Sequence, residues 1–96
     1  MHYLLFYDVV EKYAEKRVPY RPEHFALARQ FAARGELLLG GAFADPIDGA
    51  VLLFKGEGPE VAEAFVNQDP YVKNGLITKW TVRKWNTLAG CLIEEI

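Results

Sequence analysis

Cysteine is almost absent from this chain, since Cys91 is the only one among 96 residues. A single thiol cannot form an internal disulfide, and such low cysteine usage fits a reducing compartment. No apolar run approaches the length of a membrane span, and the N-terminus lacks a basic region followed by a long apolar stretch. We therefore expect a cytoplasmic protein that does not associate with membranes.

Positive charge is also limited, because 11 lysines and arginines face 13 aspartates and glutamates, for a net charge of −2. Binding to phosphate backbones needs a basic surface, so nucleic acid is excluded as the main partner. His2 and His24 lie on different elements without ligand spacing, and Gly40-Gly41 lacks the flanks of a phosphate-binding loop. The expectation is a protein with no metal and no cofactor.

Hydrophobic patterning in the rest of the chain predicts six elements in the order β-α-β-β-α-β. The predicted strands are 2–10, 36–43, 50–55 and 76–85, and the predicted helices are 22–34 and about 59–69. With right-handed crossovers this order gives an α+β ferredoxin-like sandwich, with an antiparallel sheet of order 4-1-3-2 and both helices on one face. We assign residues 1–85 to this domain and residues 86–96 to a C-terminal tail without a predicted element.

Local sequence also predicts two connecting segments and one irregularity within a strand. The segment 11–20 is charged and is closed by Pro19 and, two residues past its end, Pro22, so it is predicted to be an irregular loop. Residues 71–75 are predicted to be a short connector. Gly40 and Gly41 in the second strand suggest a bulge or the close approach of another group.

Strands one and three are apolar on both alternating faces, although two helices can cover only one side. A homodimer through the open sheet face would bury the other side.

His24 is the residue around which a candidate site can be built. It stands three, four and seven residues before apolar positions of the first helix, and therefore in register with the buried stripe. The topology brings the start of the first helix and the end of the second to the same end of the molecule. Asp69, just past the second helix, thereby comes near His24. The surrounding loops and strand ends supply candidate ligand-binding residues: Tyr7, Arg17, Arg21, Gly41 and Tyr71.

Four short motifs resemble the YciI-like (YCII-related) family over roughly residues 1–85. They are the Tyr-Leu-Leu-Phe-Tyr run of the first strand, R-x-x-x-R-P-x-H from Arg17 to His24, Leu37-Leu-Leu-Gly-Gly, and D-P-Y-V-K-x-G from Asp69 to Gly75. The resemblance implies a dimeric α/β barrel of ferredoxin-like fold whose characteristic histidine and aspartate are His24 and Asp69. Because of this histidine and aspartate the resemblance also implies enzymatic activity, and some relatives are associated with dehydrochlorination of chlorinated aromatic diols.

Two departures from the family pattern bear on chemistry. Gly49-Ala50 stands where the family often has Gly-Ser, so a hydroxyl that takes part in chemistry elsewhere is missing here. The tail after Trp85 is longer than usual, which suggests a feature specific to this protein.

The functional hypothesis is a small cofactor-independent enzyme that uses His24 and Asp69 for general acid–base chemistry on a small, aromatic or oxygenated molecule. The carboxylate would accept Nδ1–H and fix the tautomer, which leaves Nε2 free to move a proton. Elimination, isomerisation and dehydrochlorination are the reaction types considered. Arg21, three residues from His24, is the better ligand candidate, whereas surface solvation is the simpler interpretation of Arg17.

Less specific interpretations remain open at this point. His24 could cap a helix or satisfy buried polar groups, and Asp69 could simply end the second helix. The alternative function is a non-catalytic homodimer that binds a small ligand as a sensor or accessory subunit. A structural interaction module and a cofactor-independent monooxygenase on a similar barrel are further options.

Overall fold

The computed structural model describes residues 1–93, so the end of the predicted tail, residues 94–96, lies outside the described residues. The strands are β1 (His2–Val9), β2 (Leu37–Ala42), β3 (Gly49–Lys55) and β4 (Ile77–Trp85). The helices are α1 (Tyr13–Lys16), α2 (Arg21–Ala33), α3 (Glu60–Gln68) and α4 (Pro70–Lys73), and a 3-10 turn spans Val18–Tyr20. None of these helices is long and apolar enough to cross a membrane.

The four strands form one antiparallel sheet of order β2-β3-β1-β4. This is the predicted order 4-1-3-2 read from the opposite edge, so the α+β ferredoxin-like prediction is confirmed. β1 is central, because it pairs with β3 on one side and β4 on the other. Its apolar residues on both faces are the sequence signal for that position.

The core lies between the sheet and helices α2 and α3. Phe31 of α2, Phe54 of β3 and Phe65 of α3 are almost completely buried and pack ring against ring, with centroids 5.3–6.3 Å apart. Leu27 is buried one turn before Phe31, as the helical periodicity predicts. α2 ends where Gly35 adopts a φ of 75°, a left-handed conformation that suits glycine. The start of α2 and the end of α3 thus lie over the same part of the sheet.

The other face of the sheet carries a second apolar surface. Leu4 pairs with Leu53 across β1 and β3, Leu53 pairs with Leu39 of β2, and all three share this face. Leu39 is 61% exposed and Trp85 47% exposed, although both residues are large and apolar. A shallow apolar groove lined by these residues runs along the face. We call this surface the open face.

Two connecting segments contain short helices. Residues 11–20 hold α1 and the 3-10 turn, so the prediction of an irregular loop there is wrong, and the short connector 71–75 overlaps α4. α1 is held by tertiary packing, because Tyr13 is 3% exposed and its ring lies edge-on to Tyr71 at 5.8 Å. A four-residue helix is too short to produce a periodic apolar pattern, so the sequence alone does not reveal it.

The irregularity in β2 lies before its glycines. The register with β3 shifts between Leu37 and Leu39, so the bulge predicted at Gly40-Gly41 is displaced to Leu38. The other half of that prediction applies at Gly40, since a Cβ there would lie 3.2 Å from the Leu52 side chain. Gly40 therefore permits the close approach of a core leucine.

The described part of the tail, residues 86–93, contains no helix or strand. Its start is held against the sheet, because His2 Nδ1 lies 2.6 Å from Thr87 Oγ1. The division into a domain of residues 1–85 and a tail of residues 86–96 stays a prediction.

Candidate functional site

Asp69 occupies the junction between α3 and α4. Its backbone is extended, with φ −70° and ψ 120°, which is the conformation that a residue before proline favours. Pro70 then takes the first position of α4, where its missing N–H is not needed. The Asp69 carboxylate caps α4 by accepting a hydrogen bond from the Tyr71 backbone N–H at 3.0 Å. The local sequence Asp-Pro-Tyr thus turns this carboxylate inward, and it is completely buried.

His24 reaches this carboxylate from the first turn of α2. Its Nδ1 lies 2.8 Å from Asp69 Oδ1, and its side chain is 14% exposed. The ring stacks on Tyr71, with centroids 3.9 Å apart and planes 6° from parallel, and Phe65 lies edge-on to it at 5.9 Å. Because an ionised carboxylate can only accept, Nδ1 donates and Nε2 is the ring nitrogen left for other partners.

Tyr7 of β1 completes the partners of Asp69. Its hydroxyl donates to Oδ2 at 2.7 Å, so both carboxylate oxygens are engaged. Burial raises the pKa of Tyr7, and the negative charge of Asp69 raises it further, which keeps the hydroxyl protonated as a donor. Burial also raises the pKa of Tyr71 to about 12. Three donors from three elements therefore fix the plane of one buried carboxylate.

A cavity of about 440 Å³ opens beside this cluster. Every ligand-binding candidate from the sequence lines it: Tyr7, Arg17, Arg21, Gly41 and Tyr71. His24 lines it too, whereas Asp69 is shielded behind the histidine, with no exposed surface. Gly41 leaves open space, since a Cβ there would meet nothing within 4 Å. The volume suits a small organic molecule.

Several apolar or aromatic cavity residues were missed by sequence reasoning, among them Tyr13, Phe25, Phe43 and Ile47. Phe25 directly follows His24 and is 42% exposed at the mouth, a position that helical spacing assigns to solvent. Tyr13 lay in the segment predicted to be irregular, so no sequence signal linked it to the cavity. Asp45 and Asp48 of the β2–β3 loop and Lys73 at the end of α4, also near this end of the topology, are exposed and do not line the cavity.

The two arginines hold different positions at the cavity. The Arg21 guanidinium carbon lies 4.9 Å from the centroid of the Phe25 ring, and that of Arg17 lies 5.3 Å from the centroid of the Tyr13 ring. The Nε of Arg17 is buried and has no hydrogen-bond partner among residues 1–93. This position differs from the surface solvation expected for Arg17. Burial raises the pKa of Tyr13, while a side-chain hydrogen bond with Arg17 and the Arg17 charge act in the opposite direction.

The residues of the site can transfer protons, form hydrogen bonds and hold charge. Within residues 1–93, no three histidine, cysteine, aspartate or glutamate side chains are grouped to hold a metal ion. A buried Asp–His pair beside a cavity is an arrangement found in acid–base catalysts, though buried ion pairs also serve purely structural ends.

An antiparallel ferredoxin-like sandwich with a ligand-sized cavity at one end defines the class of this protein. The chain belongs to the YCII-related family, whose domain model matches residues 1–86. A search among curated proteins finds no match.

Three solved structures share the fold at low sequence identity. The 5-chloro-2-hydroxyhydroquinone dehydrochlorinase (TftG) of Burkholderia phenoliruptrix AC1100, in complex with 2,5-dihydroxybenzoquinone, has a TM-score of 0.75 and 21% identity, over 90% of this chain and 94% of that one. Protein Atu4242 of Agrobacterium tumefaciens has a TM-score of 0.54 and 14% identity, over 86% and 89%. The structured domain of Caenorhabditis elegans BMY-1 has a TM-score of 0.51 and 18% identity, over 93% and 100%.

Proposed function

We propose that this protein is a small cytoplasmic enzyme that catalyses cofactor-independent acid–base chemistry on a small molecule held in the cavity. The observation that carries the proposal is the 2.8 Å contact between His24 Nδ1 and the buried Asp69 carboxylate. His24 acts as the general base or acid, and Asp69 orients it. Arg17, Arg21, Tyr7, Tyr71 and Gly41 bind the ligand.

The proposed reaction is an elimination or an isomerisation. Nε2 of His24 removes a proton from carbon or hydroxyl oxygen, and the electron pair left behind forms a new double bond. In an elimination the leaving group, such as chloride, departs with its bonding pair, and the imidazolium returns its proton to water. In an isomerisation the same proton returns to another atom of the ligand. The Asp69 charge stabilises the imidazolium between these steps.

The fold shared with the Burkholderia dehydrochlorinase supports elimination as the first reaction to test. The probe is 5-chloro-2-hydroxyhydroquinone, and chloride release is the readout. We expect His24→Gln to lower kcat/KM by about 10²–10⁴-fold, because a positioned general base contributes that much. Glu23→Gln, on the exposed face of the same helical turn, is the matched control and should retain wild-type turnover.

Equal chloride release by wild type and His24→Gln would contradict the catalytic role. A probe that binds the wild-type protein and emerges unaltered after long incubation would favour the second candidate function, a non-catalytic ligand-binding or accessory protein. The cavity itself supports that candidate, because it needs only the lining residues and no proton transfer.

The proposal includes a homodimer formed through the open face. Leu39 and Trp85 are about half exposed there, and such a contiguous apolar surface is uncommon on a monomer. We expect Leu39→Lys to shift the protein from dimer to monomer in sedimentation velocity, because two lysines would be buried across a two-fold axis. Val18→Lys is the control, since Val18 is also apolar and 60% exposed but lies outside the open face. A wild-type protein that sediments as a monomer at high concentration would contradict the dimer.

A further inference from the structure

The charge on the cavity wall is opposite in sign to that of the whole protein. The chain carries a net charge of −2, yet the formally charged residues that line the cavity are Arg17 and Arg21. Among the described lining residues there is no aspartate or glutamate, and the nearby Asp69 already accepts hydrogen bonds from His24 and Tyr7. The wall therefore has positive charge that no carboxylate of the cavity neutralises.

Arg17 adds an unsatisfied hydrogen-bond donor to this charge. Its Nε is buried without a partner among residues 1–93, a rare situation that calls for an explanation. The backbone around it is anchored, because Arg17 N–H donates to Tyr13 O and Arg17 O accepts from Tyr20 N–H, both at 2.9 Å. The Arg17 side chain is thus held at the cavity wall by local structure. Because Nε itself has almost no accessible surface, a ligand oxygen would meet the part of this charged side chain that lines the cavity.

We propose that the cavity binds a small organic anion, a carboxylate or a phenolate, whose charged oxygen is bound by the guanidinium of Arg17. The inference rests on the proposed function only in taking the same cavity as the ligand site. Arg21 adds charge at the mouth, where it packs on Phe25. Arginine suits this role because its planar group carries several fixed donors and its charge persists at all working pH values. Arg17, and not Arg21, is then the residue that selects for charge.

The first test compares ligands of the same shape and different charge. Benzoate and benzamide are nearly isosteric, and only benzoate is an anion near neutral pH. Isothermal titration calorimetry on the wild-type protein should give a Kd for benzoate at least about tenfold below that for benzamide, as charge-assisted hydrogen bonds are the stronger ones. 4-Nitrophenolate, at a pH where it is ionised, forms a second arm. Preference for benzoate identifies a carboxylate, and preference for 4-nitrophenolate identifies a phenolate; both support the proposal.

The second test removes the donor. Arg17→Gln should weaken binding of the preferred anion about tenfold or more and leave benzamide nearly unaffected. Arg17→Lys keeps the charge but lacks the planar guanidinium with its several fixed donors, so we expect this variant to bind the anion more weakly as well. Arg29→Gln removes an arginine from the exposed face of α2 and is the control for net charge. Circular dichroism of each variant checks that it is folded.

Three results would overturn this inference. They are an affinity for both benzoate and 4-nitrophenolate no higher than that for benzamide, undiminished anion binding in Arg17→Gln and Arg17→Lys, and no binding of either anion to the wild-type protein. Loss of anion binding in Arg21→Gln, with binding undiminished in both Arg17 variants, would overturn the inference in the same way. The outcome is separable from the proposed function, because binding is measured at equilibrium. If anion binding depends on Arg17 and His24→Gln has no effect on turnover, the anion inference stands and the catalytic proposal fails. If anion binding does not depend on Arg17 and His24→Gln loses turnover, only the anion inference fails.

Discussion

Replacing Asp69 with alanine is expected to lower the free energy of unfolding by about 3–5 kcal/mol, the range for breaking a buried charged pair. The reason is that three donors lose their acceptor together: Tyr7 Oη, His24 Nδ1 and the Tyr71 backbone N–H. The Tyr7 hydroxyl lies in a core position that is 2% exposed, so water cannot easily replace the carboxylate. Urea denaturation followed by circular dichroism gives the measurement.

Two variants divide this effect into its parts. Tyr7→Phe removes one donor and should be destabilised by only about 1–2 kcal/mol. Asp69→Asn keeps the size and one acceptor oxygen, so it should fold while losing the charge in contact with His24. Its ¹⁵N spectrum should show His24 in both neutral tautomers, whereas the wild-type ring carries its proton on Nδ1. A stability of Asp69→Ala within about 1 kcal/mol of wild type would mean that the cluster is not structurally important.

Replacing Phe65 with alanine is expected to destabilise the protein by about 3–5 kcal/mol, as large-to-small changes of buried aromatic residues do. Phe65 has no exposed surface and packs against Phe31 and Phe54. It also lies edge-on to the His24 ring. The substitution should therefore loosen the ring as well as the core. Urea denaturation measures the first effect, and the line width of the His24 ring protons measures the second.

The matched control for this change is Phe25→Ala. Phe25 neighbours the same histidine, at 5.7 Å between ring centroids, but it is 42% exposed. Its removal should cost only about 1 kcal/mol, because little apolar surface leaves the core. Phe65→Leu keeps most of the volume and should fall between the two. Equal stabilities for Phe65→Ala and Phe25→Ala would contradict the place of Phe65 at the centre of the core.

The fold could be predicted because its signals are long and periodic. The strand containing Leu5 and Tyr7 is apolar on both faces, and the helix containing Leu27 and Phe31 repeats at three and four residues. Chain order and crossover handedness then leave few topologies, and they bring the start of α2 and the end of α3 together. That topology is why two residues 45 positions apart, His24 and Asp69, could be considered as a pair before their 2.8 Å contact was known.

The details of the cavity could not be predicted because they depend on packing between distant segments. Helical spacing favoured Arg21 over Arg17, since Arg21 stands three residues before His24. The fold of the preceding segment instead brings the Arg17 guanidinium to 5.3 Å from the Tyr13 ring, which itself lies against Tyr71. A contact of this kind leaves no trace in local periodicity. The stacking of Tyr71 on His24 likewise depends on α4, a helix of four residues.

One oxygen of Asp69 serves both the backbone and the candidate base. Oδ1 accepts from the Tyr71 N–H at 3.0 Å and lies 2.8 Å from His24 Nδ1. A change of charge on the imidazole, caused by a proton or by a bound molecule, therefore changes the electrostatic environment of the Tyr71 amide, which shares this oxygen. The Tyr71 amide resonance is a native spectroscopic reporter of the state of His24. It needs no label beyond ¹⁵N and no knowledge of the substrate.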